Sequence, residues 1–100
     1  MIVKIHKTLE GRVILAVCDS DLAGKKFEEG KLQLDLSGGF YKGEEMEEKK
    51  ILGLFKVVHV VNLVGEKAVA LGIKAGIIEK DRVIKVKGIP HAQAAIVRED

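Results

Sequence analysis

From Val13 to Val17 the chain reads VILAV, five apolar residues in a row, three of them β-branched. A strand with no polar side must be covered on both faces, so this run marks a central strand of a sheet. MIVKIHK precedes it and TLEG separates the two, which predicts strands at about 2 to 7 and 12 to 18 joined as a hairpin. KLQLDLS alternates strictly, with Leu32, Leu34 and Leu36 on one side and Gln33, Asp35 and Ser37 on the other. That is the pattern of a half-buried strand.

Beyond residue 43 the period changes. Glu44, Glu45, Glu47 and Glu48 precede a stripe of Ile51, Leu54, Phe55 and Val58, which predicts a helix from Glu44 to about Lys56 with its acids at the positive end. Gly53 lies inside that helix and requires either close packing or a weak turn. VVHVVNLV returns to β-branched residues as a short buried strand. A second helix follows from Gly65 to about Ala75, with Gly76 as its C-terminal cap, and RVIKVKG is the last strand. Strand, helix, strand, helix, strand implies parallel pairing of the three later strands through right-handed crossovers. The twelve residues between Cys18 and Lys31 are long enough for another crossover, with a short helix at SDLAGKKF. The fold class is α/β: a single small domain over residues 1–100, a mixed sheet of about five strands with an N-terminal hairpin and two main helices.

Composition narrows the setting. At 47% apolar and 32% charged residues the chain is globular, and 100 residues bury roughly two-thirds of the unfolded surface. With only three Phe and one Tyr, the core is aliphatic, and abundant Lys and Glu around it suit a thermostable protein. The single Cys18 has no internal disulfide partner, which points to a reducing, cytoplasmic setting. Lys4, His6 and Lys7 interrupt the first apolar run, so it is no signal peptide, and no stretch approaches the ~20 apolar residues of a membrane helix. The formal net charge is +2, and the excess belongs to residues 51–100, with eight Lys or Arg against five Asp or Glu.

In open α/β sheets ligands bind beyond the carboxyl ends of the strands. CDSDLAGKK, SGGFYKG, NLVGEK and GIPHAQ each follow a candidate strand, and with parallel strands these segments converge on one rim. Pro90 then fixes the last loop and directs His91 and Gln93 towards Asn62 or Asp19. Loops also collect Gly, Pro and polar residues without any site. Cys18 beside Asp19 has the elements of a thiol nucleophile if His6, His59 or His91 stands within reach as base; a buried structural cysteine is the commoner case. The histidines and Cys18 lack metal-ligand spacing, and AGKK and NLVGEKA match no nucleotide-binding fingerprint, so no metal, cofactor or catalytic residue is assigned. Lys85 and Lys87 on the outward face of the last strand, with Lys4 and Lys7, form a candidate phosphate-contacting surface, although lysines equally serve a solvated face. Phe40 and Tyr41 could stack on bases, but in a chain so poor in aromatics Phe40 is assigned to the core.

The blocks VCDSDLAGKKFEEGKLQLDL, GGFYKGEE, NLVGEKAV and GIPHAQA, in that order and spacing, resemble the small archaeal family catalogued as domain of unknown function 424, over about residues 2 to 93. The resemblance places motif positions at Cys18, Asp19, Gly24, Lys25, Tyr41, Gly43, Asn62, Gly65, Pro90, His91 and Gln93, with no catalytic role attached. It implies a cytoplasmic, RNA-binding protein associated with translation, whose partners are RNA or ribosomal components. A small-ligand protein or enzyme using the rim residues Cys18, Asp19, Asn62 and His91 is the alternative. Oligomeric state is left open.

Overall fold

The structure is a computed structural model that describes residues 1–97. Eight strands and two helices follow in order: β1 (Ile2–Lys7), β2 (Val13–Cys18), β3 (Lys26–Glu29), β4 (Leu32–Asp35), β5 (Glu44–Glu45), α1 (Glu48–Phe55), β6 (Val60–Val64), α2 (Glu66–Lys74), β7 (Ile84–Val86) and β8 (Ile89–Ala95), with single 3₁₀ turns at Ser20–Leu22, Gly39–Tyr41 and Lys80–Arg82. The main sheet has the order β5-β1-β2-β6-β8-β7, and β3-β4 form a separate hairpin. The protein is thus an α/β domain with a mixed sheet.

The apolar run Val13–Val17 sits where its pattern requires. β2 lies between β1 and β6, and its side chains alternate between two cores. Leu15 and Val17 pack with Val3, Val61, Leu63, Ile51 and Phe55 of α1, and Ala68, Val69 and Leu71 of α2. Ala16 and Cys18 point the other way, into a smaller cluster with Val64, Val86, Tyr41 and the hairpin residues Leu34 and Leu36. Both helices therefore cover one face, and the hairpin covers part of the other.

Three expectations are corrected. The later strands are not paired in parallel: KLQLDLS joins the separate hairpin, and β6 and β7 run the same way but are parted by β8, which enters antiparallel between them, so that β6 finds its parallel partner in β2. IPHAQ is therefore part of β8 and not a loop, because Lys87 and Gly88, at φ 54 and 77, make a two-residue hairpin turn. Lys-Gly is a weak hairpin signal beside Asn-Gly, and Pro90 sits at the end of the β6 ladder where its missing N–H interrupts nothing. The segment after Cys18 makes one 3₁₀ turn and then the β3–β4 hairpin, with no crossover of its own. Finally, α1 starts at Glu48, because Glu44 and Glu45 pair with Val3 and Ile2 as an edge strand. There the Glu45 carboxylate accepts hydrogen bonds from the Met1 amino group and the Ser20 hydroxyl.

Gly53 is solvent-exposed, and a Cβ built there meets nothing within 4 Å. Its cost is conformational freedom alone, so Gly53→Ala is expected to stabilise the protein by about 0.5–1 kcal/mol in equilibrium denaturation. A loss of stability would show that this turn of α1 is packed.

Candidate functional site

The ends of β2 and β6 and the start of β8 meet in one knot. Asp19 N–H donates to Val64 O at 3.0 Å, and Gly65 N–H donates to Pro90 O at 2.9 Å. The Asp19 carboxylate then accepts from the backbone amides of Lys67 (3.0 Å) and Ala68 (2.8 Å) in the first turn of α2. An N-terminal cap normally supplies such an acceptor from its own side chain. Here the cap residue is Gly65, and the acceptor arrives from another strand. A Cβ on Gly65 would lie 2.6 Å from both Asp19 carboxyl oxygens, and its φ of +107 belongs to glycine. Segments CDSD, NLVG and GIPH do converge, and what they form is a packed junction.

The candidate rim residues divide accordingly. Cys18 is fully buried beside Tyr41, and burial, with Asp19 second, pushes its thiol up to about 11. No histidine is hydrogen-bonded to it among the described residues, so the geometry gives no activated nucleophile. Burial likewise raises the Tyr41 phenol, with Cys18 adding to it. Gly24 turns into the hairpin, its N–H donating to Leu36 O at 3.1 Å, and the Lys25 amide donates to Leu22 O while its carbonyl accepts from Leu36. Gly43 runs so close to Val3 that a Cβ would overlap the Val3 carbonyl. No group of three or more His, Cys, Asp or Glu suited to a metal ion occurs among the described residues.

Asn62, His91 and Gln93 are placed differently. Strand registers stack the side chains of the face opposite the helices into rows: Ile2, Cys18, Val64, His91 and Ile84; then Lys4, Ala16, Asn62 and Gln93; then His6, Ile14, Val60 and Ala95. The hairpin and the Gly39–Tyr41 turn cover Ile2, Cys18 and Val64 of the first row and Ala16 of the second, while Ile84 at the far edge is 50% exposed. In the second and third rows, Lys4, Gln93 and Ala95 are exposed and His6, Ile14, Val60 and Asn62 half-buried. Asn62 and Gln93 face each other directly across the β6–β8 ladder, and neither side-chain amide is hydrogen-bonded among the described residues. Beside Lys4, the His6 ring stacks on Phe40 with centroids 4.4 Å apart and planes 12° apart. His6 Nε2 lies 2.8 Å from the Phe40 carbonyl oxygen, which only accepts, so that nitrogen carries the proton. Phe40 is 41% exposed and Tyr41 8%, which reverses the assignment of Phe40 to the core. The lysine surface is also redrawn. Lys85 stands on the helix-side face of β7, and Lys87 lies in the hairpin turn with its N–H on Glu29, so the two share no face. Lys7 alternates with His6 and points to the helix side; Lys4 alone of these four belongs to the open rows.

A cleft of about 530 Å³ opens at the β8 edge, lined by Ile77, Ile78, Ile84, Ala92 and Ala94 with Glu79, Arg82, His91 and Gln93. It exists because β7 is three residues long and β8 seven. Burial lowers the His91 imidazole below its ordinary value, and its Nε2 is buried with no hydrogen-bond partner among the described residues. His6, Phe40 and Arg82 were not assigned to a binding surface by sequence reasoning. The alternation of Lys4 and His6 with Val3 and Ile5 carried a signal for the first; nothing local marked Arg82.

These features define a small α/β protein with a sealed strand-end junction, an open half-face of sheet and a cleft along one strand edge. The chain belongs to the family described as protein of unknown function DUF424, whose model matches residues 6–97. A crystal structure titled as an uncharacterized conserved protein from Methanopyrus kandleri is similar, at 30% identity and a TM-score of 0.80, covering 99% of this chain and 93% of that one. A search of curated proteins finds no match. No helix among the described residues is long and apolar enough to cross a membrane.

The buried thiol is expected to resist modification: at pH 8, a disulfide reagent should label Cys18 promptly in denaturant and, in native buffer, only at the rate of unfolding. Stoichiometric native labelling within minutes would place the sulfur at an accessible site.

Proposed function

We propose that this is a cytoplasmic, non-catalytic RNA-binding protein that takes single-stranded RNA on the open half of its sheet. The observation that carries the reading is the half-exposed Phe40 stacked on His6, next to the row of Lys4, Asn62 and Gln93. Single-stranded RNA offers unpaired bases, and proteins recognise it by stacking bases on aromatic rings and by bonding their edges. Phe40 supplies a ring whose outer surface meets solvent. Asn62 and Gln93 each carry a donor and an acceptor on one group, the combination a base edge requires. Lys4 supplies a cation for phosphate at the other end of that row, two strands from Asn62 across Ala16. Ribosomal or translation-associated RNA is the target class that the family resemblance favours. The reading no longer rests on Lys85 and Lys87, and with a single lysine in the row the electrostatic share of affinity is small.

Fluorescence anisotropy with a labelled oligoribonucleotide tests this. Phe40→Ala and Asn62→Ala should each weaken binding about tenfold, since a base–aromatic stack is worth roughly 1–3 kcal/mol. Lys4→Gln should reduce the salt slope by about 0.7, and Lys85→Gln should change neither quantity. Absence of binding by the folded protein, or equal affinity of the Phe40 and Asn62 variants with wild type, would overturn the assignment.

A further inference from the structure

The β8 edge carries an inference independent of the RNA reading. In the β6–β8 ladder the backbone bonds come from even-numbered residues of β8, as Gly65 N–H to Pro90 O and Ile96 N–H to His59 O show. The N–H and C=O groups of His91, Gln93 and Ala95 therefore point to the opposite edge. Ile84 faces His91, where β7 begins. Among the described residues no strand lies opposite Gln93 and Ala95, because the chain before Ile84 turns away at Lys80–Arg82, and the cleft fills the space. Two successive pairs of edge groups thus stand open above an apolar floor. Such an edge is a template for an added strand.

We propose that this edge binds the carboxyl-terminal end of an extended peptide as an antiparallel strand. The direction follows from the fold. A strand continuing the line of β7 runs as β7 does, so its last residue meets the start of β7, beside Arg82 and His91. A terminal carboxylate is complementary to the Arg82 guanidinium at that point, whereas a parallel strand would bring its amino terminus there. Arg82 is held only loosely by Glu79, 3.9 Å away and too long for a hydrogen bond, and both side chains are exposed, so a peptide carboxylate competes with Glu79 for the guanidinium. In this register the final residue exchanges hydrogen bonds with Gln93 and the third from the end pairs with Ala95. The penultimate side chain then turns to the helix side, onto Ile77, Ile78 and Ala94, which selects an aliphatic residue at that position.

The test uses a fluorescein-labelled hexapeptide of alternating threonine and valine, with valine next to last and a free carboxylate, beside the same peptide capped as an amide. The free acid should bind and shift the backbone amide resonances of Gln93 and Ala95, while the amide form, and wild-type peptide against Arg82→Gln, should each bind about tenfold more weakly. Ala95→Pro removes an edge donor while leaving the β6 ladder to Ala94 and Ile96, so it should abolish binding with circular dichroism unchanged. Should that variant unfold, the resonance shifts and the Arg82→Gln comparison decide. Equal binding of acid and amide, no binding at millimolar peptide, or a concentration-dependent dimer that protects the Gln93 and Ala95 amides would each overturn the proposal, the last by giving the edge to a second copy.

Discussion

The carboxylate of Asp19 against the first-turn amides of α2 is the contact on which the rest of the structure depends. The carboxyl group is nearly buried, and a charge in that position is tolerable only when hydrogen bonds replace its water. Lys67 and Ala68 supply them, and the partial positive charge of a helix start adds to the effect. The same residue's N–H holds Val64, and the adjoining Gly65 N–H holds Pro90. One knot therefore fixes the parallel pairing of β2 with β6, the exit angle of α2 and the entry of β8.

That arrangement separates architecture from recognition. Asp19, Gly24, Gly43, Gly65 and Pro90 are accounted for by backbone contacts, and Cys18 and Tyr41 by packing beneath the hairpin. What the fold leaves unengaged lies one row further down the sheet. β8 presents two surfaces at once there: the Gln93 side chain joins the open face with Asn62 and Lys4, and the Gln93 backbone lies in the edge cleft. A short β7 is what keeps the second of these open.

Much of the fold was legible because it follows period and local chemistry. VILAV required cover on both faces, the alternation of Leu32, Leu34 and Leu36 required cover on one, which Leu34 and Leu36 have and Leu32, exposed at the hairpin tip, does not, and Gly76 at φ 78 ends α2 as its position suggested. Pairing partners were less legible. Nothing in KLQLDLS says whether a strand joins the main sheet or makes its own hairpin, and Lys87-Gly88 turned the chain where only a stronger turn sequence would have announced it. For the site, the convergence of Cys18, Asp19, Gly65 and His91 was legible as proximity, but spacing does not reveal whether a strand end is open or filled. The Asp19 contact with residues 67 and 68 filled it. The stack of His6 on Phe40 joins residues 34 apart in sequence and depends on where one 3₁₀ turn rests on β1, which no local pattern encodes.

Equilibrium denaturation of Asp19→Ala at neutral pH tests the central claim most directly. If this carboxylate caps α2 and ties three strands together, its removal leaves two helix amides without acceptors and should lower stability by about 2–4 kcal/mol. A variant within about 0.5 kcal/mol of wild type, the range of ordinary surface substitutions, would contradict the architectural role and return Asp19 to the list of residues that need a functional explanation.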